Sequence, residues 1–333
     1  MIARQGSGDA EAPHRLTLRA IEVFVAVVEE GSFAAGAKRL SASPSSVSQQ
    51  IANLEEALGA VLIERAARPL ALTPAGYLFQ KRALAILDQT AAARAELLEL
   101  DLTALPELRI AVMEDFDAEV LPGLVTALAK EWPHCRFSSH SGFSHENVTA
   151  LESRLVDLVL AAEVETATDW LEIHPILREP FVLVAARGLL DAAPTLARLQ
   201  DLPLVRYSPI LRMGRQIEVH LRRLRLSPPW RFEVDSTASL VSLVAKTGGW
   251  ALATPASLLA AANLGAAEIR PLPFRGMTRT ISLHARRDAL GSIPTHAAEL
   301  LRQQILRHTI RPSLARMPWL EGQMVLLGEG DRA

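Results

Sequence analysis

The chain has 333 residues and a mass of 36.2 kDa, enough for about two domains at roughly 150 residues each. With 49% hydrophobic and 22% charged residues each domain can bury a core, which excludes an intrinsically disordered protein. Lys plus Arg total 35 against 37 Asp plus Glu, so the formal charge is −2 and bulk charge marks no nucleic-acid binder. Only a local motif could do so. The single cysteine, Cys135, excludes an internal disulfide and a multi-cysteine zinc site, and fits a reducing compartment.

Met1 to Pro13 is small and polar, with no apolar segment of a secretory signal. The most apolar stretch, Leu240 to Ala262, is interrupted by Lys246, Gly248, Gly249 and Pro255, so no membrane span is expected. A cytoplasmic protein with a disordered leader over residues 1–15 is the expectation. From Leu18 the pattern turns helical, with Ile21, Phe24, Val25 and Val28 on one stripe, Thr17 as N-cap and Gly31 as stop. Ser32 caps a short second helix rich in small residues. A turn at Ser41-Ala42-Ser43 leads to a third helix, with Ser43 as N-cap and Pro44 at the first helical position.

The third helix is the informative one. Val47, Ile51, Leu54 and Leu58 form its core face, while Ser45, Ser46, Ser48, Gln49, Ala52 and Asn53 face outward. A solvated helix face is usually rich in Glu and Lys. Short neutral donors and acceptors at a helix N-terminus suit the DNA major groove, and a low-charge surface helix is the plainer alternative. Val61 to Arg65 and Leu70 to Thr73 then read as a hairpin, which would hold Arg65 and Arg68 against phosphate or a narrow minor groove. A salt bridge from Arg65 to Glu64 or Glu55 is the competing reading. Helix, helix, turn, helix and hairpin is the order of a winged helix-turn-helix.

These residues resemble the LysR-type transcriptional regulators. The likeness lies in the run Phe24 to Phe33, in Ala37-Lys38-Arg39-Leu40, in Ser43 to Glu55, in Leu58-Gly59, in Leu62 to Arg65 and in Leu72 to Gly76. The family often has Gln-Pro where this chain has Pro44-Ser45, which bears on base preference. It often has Ala-Ala where this chain has Gly36-Ala37, a change expected only to loosen a helix slightly.

Thr73-Pro74 opens a long helix expected to reach about Leu100. Phe79, Ala83, Ile86, Thr90, Ala93, Leu97 and Leu100 are spaced 4-3-4-3-4-3, a coiled-coil seam over three heptads. The resemblance implies a dimerising linker helix, held by Phe79, Ala83, Ile86, Ala93 and Leu97. Packing of this seam on its own domain is the alternative.

Beyond Pro106 strands and helices alternate. Strands are expected at 108–112, 134–138, 158–162, 181–186, 203–207, 231–234, 250–254 and 280–285. Helices are expected at 119–131, after Ser144, at 214–224 and at 236–246. Such alternation predicts parallel sheets wrapped by helices, with the chain leaving one lobe near Pro175 and returning near Met277. The resemblance implies a two-lobed, periplasmic-binding-protein-like effector domain with its ligand between the lobes.

The expected organisation is α/β with an N-terminal all-α-plus-wing DNA-binding domain at 16–73, a linker helix at 74–102 and an effector domain at 106–310. Lobe I takes about 106–176 and 278–310, lobe II about 177–277, and 311–333 is a tail.

Enzyme patterns fail residue by residue. His145-Glu146-Asn147-Val148-Thr149 has Thr149 where a zincin needs its second histidine. Gly142-Phe143-Ser144-His145-Glu146 lacks the second glycine of a nucleophile elbow. The polar run Ser138 to Ser141 with His145 more often lines a cleft than forms a Ser/His site. No catalysis, cofactor or metal is expected; the alternative class is a cytoplasmic small-molecule-binding protein or an enzyme on a two-lobed α/β fold.

The DNA contacts expected are Ser32, Ser43, Pro44, Ser45, Ser46, Ser48, Gln49, Asn53, Arg65 and Arg68, on an inverted-repeat duplex bound by a homodimer or homotetramer. RNA polymerase is a candidate further partner. The effector contacts expected are Glu114, Asp115, Phe116, His140, Ser141, Ser208, Ser236 and Thr237. Family look-alikes often present Ser or Thr to an acidic metabolite in the first of these loops. Glu114 and Asp115 would repel such an anion, so a cationic or zwitterionic effector with its ammonium on either acid is the sharper expectation. The plainer one is that both acids face solvent or complement the helix dipole.

Overall fold

The computed structural model describes residues 15–65, 67, 70–99, 105–162, 168–190, 194–261, 265 and 267–328, without the side chains of 91, 92 and 94–99. It divides into two compact units, Met1–Arg94 and Ala95–Ala333. Except for Arg15, the expected leader lies outside the described residues, as does Arg68.

The first unit opens with α1 (Leu18–Glu29), α2 (Phe33–Arg39) and α3 (Pro44–Leu58). Each start is capped by the side chain expected: Thr17 accepts from the Ala20 amide, Ser32 from Ala35 and Ser43 from Ser46. Gly59 ends α3 at φ +64°, a left-handed position that costs glycine little. α1 is buried beyond its expected stripe, since Val23, Ala26 and Val27 are covered as well. One departure from the family pattern has more weight than helix propensity suggests. A Cβ on Gly36 would come within 2.9 Å of the Val27 backbone, so glycine here sets how closely α2 approaches α1.

β1 (Ile63–Glu64) and β2 (Ala71–Leu72) pair antiparallel as the wing. α4 (Pro74–Glu99) follows, begun by Thr73, whose Oγ1 accepts from the Gly76 amide and donates to the Val61 carbonyl. The expected seam of α4 needs correction. Ala83 is fully buried, and Phe79 packs edge-on to Phe24 at 5.1 Å, both within the core of their own domain. Ile86 is half-buried and Ala93 exposed, while Leu97 lies outside the described side chains. Phe79 and Ala83 turn inward because α1 offers them an apolar face; Tyr77 and Leu78 point out at 63% and 67% exposure.

The second unit holds two mixed sheets. Lobe I contains β3 (Glu107–Met113), β4 (Arg136–Gly142), β5 (Leu158–Ala162), β6 (Leu171–Pro180), β12 (Thr278–Arg286) and β13 (Val325–Leu326), in the order β13-β6-β12-β5-β3-β4. Lobe II contains β7 (Val182–Ala186), β8 (Leu204–Tyr207), β9 (Trp230–Val234), β10 (Trp250–Ala253) and β11 (Ala267–Arg270), ordered β11-β7-β10-β8-β9. In each sheet the three strands linked through helices are parallel, and strands made at the crossings or later pair antiparallel. The wholly parallel expectation fails at those strands.

The crossings also fall later than expected on the outgoing side. β6 continues past Pro175 to Pro180, and the lobes join where the Phe181 amide donates to the Met277 carbonyl at 2.9 Å.

Helices complete the lobes: α5 (Val120–Glu131) and α6 (Ser144–Glu152) in lobe I, and α7 (Leu196–Asp201), α8 (Arg212–Arg223), α9 (Thr237–Thr247) and α10 (Pro255–Ala260) in lobe II. α11 (Ile293–Ile305) returns to lobe I and packs on α5, β6 and β12. α6 starts at Ser144 itself, one residue earlier than a Ser144 cap would place it.

The Gly248-Gly249-Trp250 run has a clear physical cause. Gly248 closes α9 at φ +67°, and a Cβ on Gly249 would meet the Pro203 carbonyl at 2.7 Å. Trp250 is then fully buried, its indole N–H donating to the Leu199 and Leu202 carbonyls.

Through Gly328 the expected tail is part of the fold. A π turn (Leu306–Ile310), α12 (Arg311–Arg316), a 3₁₀ turn (Pro318–Leu320) and β13 carry the chain back onto lobe I, with Ser313 and Leu320 fully buried.

His284 sits on β12 with no exposed surface, and burial, with Arg212 and His174 nearby, lowers its pKa from 6.5 to about 4. Between those values only the unfolded chain takes the proton, so stability falls as pH falls across that window. The expected loss from pH 7 to pH 5 is about 2 kcal/mol. Urea unfolding at both pH values should show it, and His284→Leu should flatten the dependence.

Candidate functional site

Two places carry chemistry, one in each unit. On α3 the exposed side is Ser43, Pro44, Ser45, Ser46 and Gln49, with Ser48 and Asn53 half-buried beside them. The Ser43 and Ser45 hydroxyls share a hydrogen bond of 3.0 Å, and the Gln49 amide donates to Asn53 at 2.8 Å. No carboxylate appears on α3 before Glu55. That acid is already used: it accepts from the Leu62 and Ile63 amides and pairs with Arg65 at 3.0 Å. The salt bridge weighed against a DNA role for Arg65 is therefore present, to Glu55 rather than Glu64. Arg65 still keeps 49% of its side chain exposed, so Glu55 both pins the wing to α3 and holds this guanidinium at the surface. Ser32 is half-buried, and its hydroxyl is engaged as the α2 cap.

The second place is a cavity of about 80 Å³ between the lobes. Glu114 and Asp115 reach it from a 3₁₀ turn (Glu114–Phe116) after β3; Phe143, Ser144 and His145 come from the start of α6. Lobe II supplies Arg212, Met213 and Gln216 from α8, with Asp235 and Thr237 at the start of α9. An adjoining cavity of about 180 Å³ shares Arg212, Gln216 and Arg279 and adds Arg178 and Thr280.

Of the residues expected here, Glu114, Asp115 and Thr237 line the first cavity. Five do not. Phe116 is buried in the apolar core, as its turn folds it under α10. His140 and Ser141 belong to β4, which extends to Gly142 and so delays the cleft loop. Ser208 turns its hydroxyl to the Ile210 amide, and Ser236 only precedes α9.

Sequence reasoning missed Arg279, which is 4% exposed at the floor of the cleft. Its guanidinium donates to Asp115 of lobe I at 2.6 Å, to Glu179 of β6 at 2.8 Å and to Thr254 Oγ1 of lobe II at 2.8 Å. Glu179 is fully buried and also accepts from the Ala256 amide. Burial pushes the Glu179 carboxyl up while Arg279 and that amide oppose it. A lone arginine in the otherwise uncharged stretch Met277 to His284 was the available signal. Asp115 thus lines the cavity with its Oδ2 paired to Arg279.

Glu114 differs. Burial, then the nearby Asp115, Asp235, Asp117 and Glu146, raise its pKa above the ordinary carboxylate value. A cation between Glu114 on lobe I and Asp235 on lobe II would relieve that repulsion. On lobe II, Tyr207 is held by a 2.6 Å hydrogen bond to Thr237, and burial raises its pKa. Among the described residues no group of three or more His, Cys, Asp or Glu could hold a metal ion, and no helix is long and apolar enough to cross a membrane.

A winged helix-turn-helix joined to a two-lobed domain with an interlobe cavity defines a ligand-responsive DNA-binding regulator. Residues 18–77 match the model of the bacterial regulatory helix-turn-helix protein, lysR family, and residues 104–309 match the LysR substrate binding domain. The chain belongs to the LysR family, as a DNA-binding transcriptional regulator with a substrate-binding effector domain.

It is 37% identical over 142 residues to the HTH-type transcriptional regulator CrgA of Neisseria meningitidis serogroup C (strain 8013), covering 43% of this chain and 46% of that protein. That match spans about half of the relative's length. A probable nitrogen assimilation transcriptional activator of Synechococcus elongatus is 27% identical over 295 residues, covering 86% of this chain and 95% of that one. Among solved structures, a full-length OxyR variant from Pseudomonas aeruginosa has a TM-score of 0.66 at 21% identity, covering 88% and 95% of the two chains. At that identity the likeness is one of fold.

Proposed function

We propose that this regulator works in the cytoplasm as a homodimer or homotetramer on an inverted-repeat duplex site, without catalytic chemistry, and answers a small effector between its lobes. The observation that carries the DNA reading is the exposed, carboxylate-free start of α3, where serine hydroxyls and Gln49 stand beside backbone N–H groups of the first turn. Two recognition helices related by a twofold axis need half-sites one or more helical turns apart. Selection from random duplexes, read by sequencing, should enrich such inverted half-sites. Enrichment of a single half-site, or of nothing, would refute the dimeric reading.

Dimerisation is assigned to the side of α4 where Arg82, Ala85, Gln89, Thr90 and Ala93 form a shallow groove with Ile86, which is half-buried and also packs on the core of its own domain. This replaces the inward Phe79 and Ala83. Ile86→Asp places a carboxylate there and should give monomers in sedimentation with the effector domain folded.

The effector is read as a zwitterion, with its ammonium between Glu114 and Asp235 and its anionic end toward Arg212. Binding that favours one lobe arrangement would alter DNA affinity through a coupling of about 1–3 kcal/mol. A thermal-shift panel of amines, amino acids and dicarboxylates tests this on wild type and on Glu114→Gln. An amino-acid response lost in Glu114→Gln supports the reading. A dicarboxylate response unchanged by that variant, with no amine response, overturns it.

A further inference from the structure

α10 has six residues and cannot hold its shape alone. Pro255, Ala256, Ser257 and Leu258 are all buried, which requires partners on more than one side. One partner is the turn Glu114–Phe116, which carries two of the acids at the cleft. Another is the C-terminal segment, since both the π turn and α12 pack on α10, beside smaller contacts with α9 and β6. The family model ends at residue 309, just before α12 begins.

The segment has its own reasons for this path. Pro312 lacks an N–H and its ring would crowd a carbonyl one turn back in a continuous α-helix. The backbone widens instead into a π turn, closed by the Arg311 amide on the Leu306 carbonyl. Met317, Leu320 and Met324 are buried on the return. The far end is tied to lobe I: Val325 and Leu326 pair with Arg178 and Leu177 of β6, and the Leu327 amide donates to Ile176 at 2.9 Å. Arg302 clamps this end, donating to the Leu327 carbonyl at 2.6 Å and to Pro175 at 3.0 Å.

We propose that residues 311–327 are a strap, anchored on lobe I and crossing α10 of lobe II, that positions α10 against the Glu114–Phe116 turn. A role in effector response rests on the interlobe reading above; the positioning itself does not. Hydrogen–deuterium exchange on the full chain tests it in two variants. Arg302→Met keeps an apolar stem and frees Leu327, and Leu320→Ala removes a fully buried anchor of the strap itself.

Both should speed amide exchange in 255–261 and 114–117 by about fivefold or more, with β3, β5 and α3 unchanged. Faster exchange confined to 306–328, or uniform across the effector domain, would overturn the proposal. If α10 and the turn loosen as expected while the melting panel stays silent, the strap stands and the effector reading falls.

Discussion

Ser46→Glu should abolish specific DNA binding while leaving the protein slightly more stable. Ser46 is exposed at the third helical position after the Ser43 cap, and its amide already donates to Ser43 Oγ at 3.2 Å. Glutamate there completes a reciprocal capping box and places negative charge on the positive end of α3, a gain of about 0.5 kcal/mol. The same charge would face phosphates and base-edge acceptors if this helix enters the major groove, and affinity should fall about a hundredfold or more. Fluorescence anisotropy on an enriched duplex and thermal unfolding should therefore move in opposite directions. Wild-type affinity with normal folding would remove α3 from the interface.

Arg279→Met should be the most damaging single change in the effector domain. It leaves Glu179 buried without its cation and releases Asp115 and Thr254 together. Breaking a buried ion cluster from one side costs about 3–5 kcal/mol, because the remaining charge keeps its desolvation penalty. For a domain of this size that is a drop of about 10 °C in melting temperature. Adding Glu179→Gln should recover much of the loss, since a neutral amide can still accept from the Ala256 amide. Asp115, at 13% exposure, can regain water when released. A variant as stable as wild type would mean that the cluster holds nothing together.

The DNA-binding unit is legible in the sequence because its signals are local. Thr17, Ser32 and Ser43 cap helices within three residues of their targets, and Gly59 ends one at a left-handed position. The cleft is not legible, because its chemistry is assembled at long range. Asp115 and Arg279 are 164 residues apart, and Glu179 and Arg279 are 100 apart. Periodicity places β4 too early, which puts His140 and Ser141 in a loop that begins only after Gly142. The first two positions of the α4 seam have the right spacing and another partner: Phe79 and Ala83 fit the core around α1 as well as a second chain. The C-terminal segment reads as a tail because Pro312 and Pro318 interrupt any regular period and hide the apolar Met317, Leu320 and Met324.

The central claim is that this chain reads a DNA sequence through α3. The direct measurement is equilibrium binding of the full chain to an enriched inverted repeat and to a scrambled duplex, across a range of salt. Specific binding should be about a thousandfold tighter than scrambled, and both should weaken steeply and linearly in log–log form as salt rises. Equal affinity for the two duplexes, or affinity indifferent to salt, would contradict the account.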